Sequence, residues 1–168
     1  YRHPHVFGGT MTADTSEQVL VNWVALKRQE KGQRSTADAI EAVPHTLPAL
    51  WRAEKIQKKT AAAGFQWDSI QGALDKLEEE IRELRTAVEA ARAPEAPHGV
   101  REEVGDVHFI AAKIAQISGV DPEDALHRAC DKFDSRFRLV EEMADKPLAE
   151  YTEAELVRLW EDAKAKLS

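Results

Sequence analysis

The chain has 168 residues, 43% of them hydrophobic and 32% charged, with only 8 Gly and 7 Pro, which excludes disordered and collagen-like classes and fits a globular, helix-rich protein. Its formal net charge of -7 argues against a nucleic-acid partner, because phosphate backbones are bound by clustered Lys and Arg. No apolar run approaches the ~20 residues that span a membrane and no signal-peptide pattern occurs, so we expect a cytoplasmic protein without a membrane partner.

A tail, one helix and a loop are predicted in the first part of the chain. Residues 1–14 show no periodicity and are typical of a tail or linker. Thr15 or Ser16 can cap a helix that continues to about Lys31. Residues 32–46 are predicted to be a loop.

Five further helices are predicted in the rest of the chain. Pro48 is suited to the first position of one of them, and Asp121 with Pro122 forms a cap and first turn for another. Thr152 begins a capping-box pattern before the last helix. The predicted bounds are about 48–63, 68–92, 99–118, 122–144 and 152–167. Because no alternating strand pattern of useful length occurs, we predict an all-α helical bundle.

The predicted helix of residues 68–92 carries one continuous apolar stripe. Its apolar residues recur at alternating steps of four and three, which is the spacing of helices that pack side by side. They are Ile70, Leu74, Leu77, Ile81, Leu84 and Val88. The pattern therefore favours packing against another helix.

Two acidic clusters indicate a metal site. Glu80 and Glu83 lie three residues apart, as do Glu103 and Asp106, so each pair projects from one side of its helix. If the two helices are antiparallel, four carboxylates converge, and oxygen ligands of this kind suit Mg²⁺. Acidic runs are more often solvated helix faces. Gly105 argues against that reading, because a mid-helix glycine suggests that a neighbour approaches the backbone closely.

A basic segment follows the acidic clusters. Lys132 and Arg136 are four residues apart and share a helix face, which would suit the phosphates of a polyphosphate held by a metal. The alternative is that both merely stabilise the carboxyl-terminal half of a helix. Phe133 and Phe137 share the adjacent face and are predicted to point into the core.

Taken together, these motifs resemble those of the MazG family. Residues 76–83, 102–106 and 132–138 match, in order and spacing, its EExxE, EExGD and KFxxRFR signatures. Leu47-Pro48-Ala49-Leu50 is also similar to the family's approach to its catalytic domain. The resemblance covers nearly the whole chain.

The resemblance implies hydrolysis of nucleoside triphosphates to monophosphate and pyrophosphate, with Mg²⁺ or substituting Mn²⁺, by a homodimer or higher oligomer. It implies a catalytic helical domain at residues 47–168, preceded at 1–46 by a tail, a helix and a linker. The implied metal ligands are Glu80, Glu83, Glu103 and Asp106, with Glu79 as a further catalytic acid. The implied substrate contacts are Lys76, Lys132 and Arg136 at the phosphates and Trp160 near the nucleotide.

Two positions depart from the family pattern. Cys130 stands where the family usually has Asn, and Gln66 where it usually has Asp, so recognition of the base or ribose is expected to differ. Cys130 is the only cysteine, which excludes an internal disulfide, and we expect it to be a small buried hydrophobe.

Other functions remain open at this point. Helical dUTPases and phosphoribosyl-ATP pyrophosphohydrolases share the acidic signature. A non-catalytic helical dimerisation protein would use the apolar stripe and keep the acids for solubility. Binding of divalent ions would distinguish such a scaffold from an enzyme.

Overall fold

The structure, a computed structural model, describes residues 35–67, 69–90 and 99–167. These residues form six α-helices and one short 3-10 helix, and no strand occurs in these ranges, which confirms the predicted all-α class. The helices are α1 (Thr36–Glu41), α2 (Ala49–Ala61), α3 (Ile70–Ala90), α4 (Gly99–Ile117), α5 (Pro122–Met143) and α6 (Glu153–Lys166), with the 3-10 turn at Leu148–Glu150. The helix predicted at residues 15–31 lies outside the described residues.

The chain divides into two compact units, residues 1–118 and 119–168. In the described part of the first unit, α4 packs against both α2 and α3, and α1 packs against α2. Small side chains such as Ala53, Ala73 and Ala112 are buried between these helices, which lets their backbones come close. None of the described helices has the length and apolar character of a membrane-spanning segment.

Helix α1 lies where a loop was predicted. The side chain of Ser35 accepts a hydrogen bond from the Asp38 backbone N–H, and the Asp38 side chain accepts one from the Ser35 N–H. This reciprocal cap stabilises one short turn of helix that carries no long apolar period. Ala39 and Val43 are each only 2% exposed, so tertiary packing also stabilises the segment. The loop prediction for this part of residues 32–46 was therefore wrong.

Helix α2 begins one residue later than predicted, because Pro48 is its N-cap and Ala49 its first residue. It ends at Ala61, shortly before Gly64, whose φ of +88° is a conformation that favours glycine. Gln57 is 3% exposed and donates a hydrogen bond of 2.6 Å from Nε2 to the main-chain carbonyl of Phe109 on α4.

The apolar stripe of α3 is only partly buried within this chain. Ile70, Leu74, Ile81 and Val88 are each about 40% exposed, at 42%, 37%, 43% and 42%. The buried residues of α3 are Ala73 and Glu80. A buried glutamate on a packed helix is unusual, because burying an ionised carboxylate is costly unless it has a charged partner.

The second unit is formed by α5, the 3-10 turn and α6. Asp121 caps α5 through hydrogen bonds from the backbone N–H groups of Glu123 and Asp124, with Pro122 as the first helical residue, as predicted. The predicted capping box of α6 is also confirmed. In the described residues of this unit, Val140 and Ala163 form part of the buried contact between the two helices.

Two burial predictions on α5 were wrong. Phe133 and Phe137 are 55% and 38% exposed, and their rings stack on one another at a centroid distance of 6.0 Å. Cys130 is exposed as well. The reason is that α5 has 22 residues and α6, its partner in this unit, has 14, so one short helix covers only part of its surface.

Candidate metal centre

The acidic residues of α3 and α4 come from two helices that pack in opposite directions. A Cβ placed on Gly99, the first residue of α4, would lie 3.4 Å from Cβ of Ala87 near the end of α3. Glu80 lies about two turns before Ala87 on α3, and Glu103 and Asp106 lie about one and two turns after Gly99 on α4. A side-chain oxygen of Glu80 is close to those of the two α4 carboxylates. This is the antiparallel arrangement that the sequence analysis required.

Three carboxylates form a compact group. One side-chain oxygen each of Glu80, Glu103 and Asp106 lies within 4.8 Å of the others. Around an octahedral Mg²⁺ with ligand distances of roughly 2.1 Å, neighbouring oxygens are roughly 3 Å and opposite ones roughly 4.2 Å apart. The three oxygens therefore need to move by less than about 1 Å to share one ion, and hard oxygen ligands of this kind fit magnesium or manganese.

The three carboxylates of this group differ in their burial. Glu80 is 6% exposed, Glu103 is half-buried and Asp106 is exposed. One side of the group is thus held in protein and the other faces outward. An ion bound there could keep open coordination positions for water or for a ligand oxygen.

Glu83 lies outside the group of three but belongs to its electrostatic environment. Burial raises the pKa of Glu103, and the negative charges of Glu83 and Glu80 raise it further, with smaller contributions from Asp106 and Glu102. Like charges have been brought together on two packed helices. A cation among them would relieve this repulsion.

Lys76 supplies positive charge to the same cluster. Its Nζ lies 2.8 Å from Oε1 of Glu79 and 2.9 Å from Oε1 of Glu80. Hydrogen bonds to Glu79 and then to Glu80 raise the pKa of Lys76, and the bond from Lys76 lowers the pKa of Glu79. Two predicted site residues, Lys76 and Glu79, are therefore paired with each other.

The sequence analysis assigned no role to Lys113, which is 4% exposed. It follows Asp106 by two helical turns on α4, and its Nζ donates a hydrogen bond of 3.1 Å to Oε1 of Gln116. Burial lowers the pKa of Lys113. The sequence signal that could have identified Lys113 was its position on the same helix stripe as Glu103 and Asp106. On that stripe a charged residue continues a partly apolar face.

Gly105 does not have the close neighbour that was expected. A Cβ placed on it meets no atom within 4 Å among the described residues. Gly105 instead borders a groove of about 350 Å³ between α2 and α4, together with Arg52, His108 and Phe109. The interpretation of this glycine as a site of close backbone approach was wrong for the described part of the chain.

The predicted substrate residues Lys132, Arg136 and Trp160 all belong to the second unit. The Arg136 guanidinium carbon lies 5.9 Å from the centroid of the Trp160 ring, which is half-buried, and the Phe133 ring lies 5.1 Å from the same ring. Nε of Arg136 is buried and has no hydrogen-bond partner among the described residues. Lys132 is exposed.

Phe133, Phe137 and Trp160 border a groove of about 470 Å³ with an almost wholly apolar lining, formed within this unit by α5, the 3-10 turn and α6. Its size and its aromatic walls suit a flat apolar ring. Sequence spacing did not reveal this groove, because Trp160 comes from a different helix than the two phenylalanines.

The part of the chain that carries the carboxylate group is similar to a known protein domain. Residues 68–145 match the MazG nucleotide pyrophosphohydrolase domain. The chain is 36% identical, over 97% of its length, to the nucleoside triphosphate pyrophosphohydrolase/pyrophosphatase MazG of Thermotoga maritima, and 37% identical over 97% to the nucleoside triphosphate pyrophosphohydrolase of Escherichia coli. It spans 60% and 62% of the length of these two relatives. The matched domain contains the three grouped carboxylates and also Lys132 and Arg136.

Proposed function

Since residues 68–145 of this chain form a MazG nucleotide pyrophosphohydrolase domain, we propose that the chain hydrolyses nucleoside triphosphates to nucleoside monophosphates and pyrophosphate with Mg²⁺, which Mn²⁺ can replace. The observation that carries this proposal is the group of three carboxylate oxygens within 4.8 Å on α3 and α4. A scaffold protein has no use for charges crowded in this way, because each adds an electrostatic cost to folding.

In the proposed site, Glu80, Glu103 and Asp106 hold the metal ion and Glu83 completes the acidic set. Glu80 is the buried ligand of the set, and one of its oxygens lies within 4.8 Å of an oxygen of each α4 carboxylate. When bound, the ion offsets triphosphate charge and lowers the pKa of a coordinated water. Glu79 is the further acid proposed to orient the attacking water, since its side chain is 47% exposed and contacts the same Lys76 as Glu80 does.

The proposed contacts to the substrate come from basic and aromatic residues. Lys76, Lys132 and Arg136 bind phosphate oxygens and stabilise charge that develops on the leaving pyrophosphate. Nε of Arg136 is buried and makes no hydrogen bond within the described part of the chain, so its bonding capacity is not used there. Trp160 lies beside it and is proposed to contact the nucleoside.

We further propose a homodimer or higher homo-oligomer located in the cytoplasm, with residues 47–168 as the catalytic domain and no nucleic-acid or membrane partner. The exposed apolar residues of α3 support self-association, because such a stripe at helical spacing is suited to a second helix.

The decisive experiment is incubation of the protein with each NTP and dNTP and Mg²⁺, followed by identification of products by phosphorus NMR. We expect monophosphate and pyrophosphate as products. Nucleoside diphosphate with orthophosphate as the only products would contradict the proposed cleavage to monophosphate and pyrophosphate.

The site is tested with Glu80→Gln and Glu103→Gln, which should both lose turnover by about 100-fold or more, since each removes a charged ligand. The matched control is Glu102→Gln, which removes an exposed carboxylate on α4 that is not one of the grouped three. Activity equal to that of the unchanged protein in both ligand variants would remove these residues from the mechanism.

A further inference from the structure

The ammonium group of Lys76 contacts one of the carboxylates proposed to hold the metal. Its Nζ lies 2.9 Å from Oε1 of Glu80, and the Glu80 side chain is 8% exposed. An ion pair with one buried partner is screened by water less than a surface pair. The ammonium group therefore occupies the immediate surroundings of the group of three carboxylates.

The order of charges along α3 is the reverse of that in four other helical ion pairs. Lys76 precedes both of its partners, whereas base follows acid in Glu54–Lys58, Asp124–Arg128, Asp134–Arg138 and Glu161–Lys164. A base ahead of the acid supports an isolated helix less well, because this order opposes the helix dipole. Stabilisation of α3 as a helix is therefore a weaker reason for Lys76 than for the bases of these other pairs.

We propose that Lys76 is an internal counter-cation, which neutralises Glu80 when no metal ion is bound and moves from Glu80 to the triphosphate when the ion arrives. This inference rests on the proposed function. A divalent ion bound at Glu80 would repel the ammonium group that lies 2.9 Å from Oε1 of the same carboxylate. Lys76 can move because its side chain is 33% exposed and has a flexible four-carbon stem.

The exchange couples the two ligands of the site. Entry of the ion places a second positive charge at Glu80 and weakens its contact with Lys76, and a triphosphate then accepts the ammonium group. The ion and the triphosphate therefore strengthen each other's binding, and this coupling is reciprocal. Without a nucleotide, Lys76 weakens the affinity of the site for the ion.

The test is calorimetric titration of Mn²⁺ into the nucleotide-free protein. Lys76→Met should bind Mn²⁺ about tenfold more tightly than the unchanged protein, because a repelling charge a few ångströms from the ion has been removed. Lys76→Arg retains the charge and should bind Mn²⁺ as the unchanged protein does. Lys58→Met is the matched control, since Lys58 pairs with Glu54 at 2.6 Å on α2 and its loss should leave Mn²⁺ affinity unchanged.

Thermal unfolding separates this role from a merely structural one. Without Mn²⁺, Lys76→Met should melt at a lower temperature, because the carboxylates have lost their internal cation. With saturating Mn²⁺ the difference should shrink, since the ion replaces the missing charge. Equal losses with and without the ion would indicate a structural role only and overturn the proposal. Lys76→Gln takes the place of the Met variant if the latter does not fold.

The outcomes distinguish this inference from the proposed function. If Lys76→Met binds Mn²⁺ no more tightly while Glu103→Gln loses binding, the metal centre stands and the counter-cation role is overturned. If the unchanged protein neither binds Mn²⁺ nor hydrolyses a nucleotide, the proposed function itself fails. Tighter Mn²⁺ binding in Lys76→Met, with pyrophosphate bound more weakly at saturating Mn²⁺, supports both parts of the exchange.

Discussion

Gln57 of α2 is connected to Phe109 of α4 by a hydrogen bond of 2.6 Å from Nε2 to the main-chain oxygen. Phe109 follows Asp106 by three residues, so this bond fixes one face of α4 close to the proposed metal ligands. Gln57 is 3% exposed, and its Oε1 is buried without a hydrogen-bond partner among the described residues. A buried amide that makes only part of its possible hydrogen bonds contributes little net stability. We therefore infer that Gln57 mainly fixes the position of α4.

Gln57→Met should lower the free energy of unfolding by only about 1 kcal/mol, because a hydrogen bond is lost while the volume is kept and a buried unpaired oxygen is removed. Urea denaturation measures this change. Mn²⁺ affinity should also fall, since α4 loses a fixed contact next to its carboxylates. A variant with lower stability and unchanged Mn²⁺ affinity would show that this bond does not position the metal centre.

Glu83→Gln should weaken Mn²⁺ binding less than Glu103→Gln does. Glu83 acts on Glu103 through its charge but is not one of the three carboxylates whose oxygens lie within 4.8 Å. Loss of an electrostatic neighbour is expected to cost about tenfold in affinity, and loss of a ligand more. Calorimetric titration of both variants compares the two effects, and equal losses would place Glu83 among the direct ligands.

Lys113→Met should raise the free energy of unfolding by about 1 kcal/mol at neutral pH, because an ammonium group in a buried position is replaced by an apolar side chain of similar length. The folded state holds this proton less firmly than the unfolded state, since burial lowers the pKa of Lys113 from 10.5. The cost of the charge is therefore full below the lowered pKa and disappears as the pH rises above 10.5.

Denaturation at several pH values tests this expectation for Lys113. The gain in stability of the Met variant should shrink at alkaline pH, because the lysine of the unchanged protein then becomes neutral in both states. If the Met variant is less stable at neutral pH, the ammonium group contributes a favourable interaction and the reasoning from burial is wrong.

Tyr151→Phe should destabilise the second unit over a wide but bounded pH range. The Tyr151 hydroxyl donates a hydrogen bond to Oδ1 of Asp145 and accepts one of 2.8 Å from the Asp145 backbone N–H. The hydrogen bond from Tyr151 lowers the pKa of Asp145 from 3.8, and the bond to Asp145 raises the pKa of Tyr151 from 10.0. This stabilisation is present between these two values.

The pH dependence of this stabilisation follows from proton binding in the folded and unfolded states. As the pH falls below 3.8, the unfolded carboxylate takes up its proton first, and the advantage is lost through the lower pKa of the folded state. As the pH rises above 10.0, the unfolded phenol loses its proton first, and the advantage is again lost. Denaturation curves of both proteins across this range should show the difference between them shrink at both ends, and a difference independent of pH would refute the assignment.

Local sequence determined the helices and the chemistry of the proposed site. Caps such as Asp121 and Thr152 and the period of apolar residues act within a few residues, so the bounds of α3 to α6 could be predicted from the chain alone. The spacing of Glu103 and Asp106 places both on one helix face by helix geometry, and their group with Glu80 was predicted from that spacing. Helix α1 was missed because six residues contain too little periodicity.

Tertiary packing decided which of these side chains are buried. Exposure of Phe133 and Cys130 depends on how much of α5 a neighbouring helix covers, and no residue of α5 itself encodes that. The burial of Lys113 likewise depends on the helices that pack against α4, whereas Lys76 and Glu80 are paired four residues apart on α3 itself. Burial is a sum over neighbours distant in sequence, whereas helix formation and ion pairs such as Lys76–Glu80 depend on neighbours along the chain.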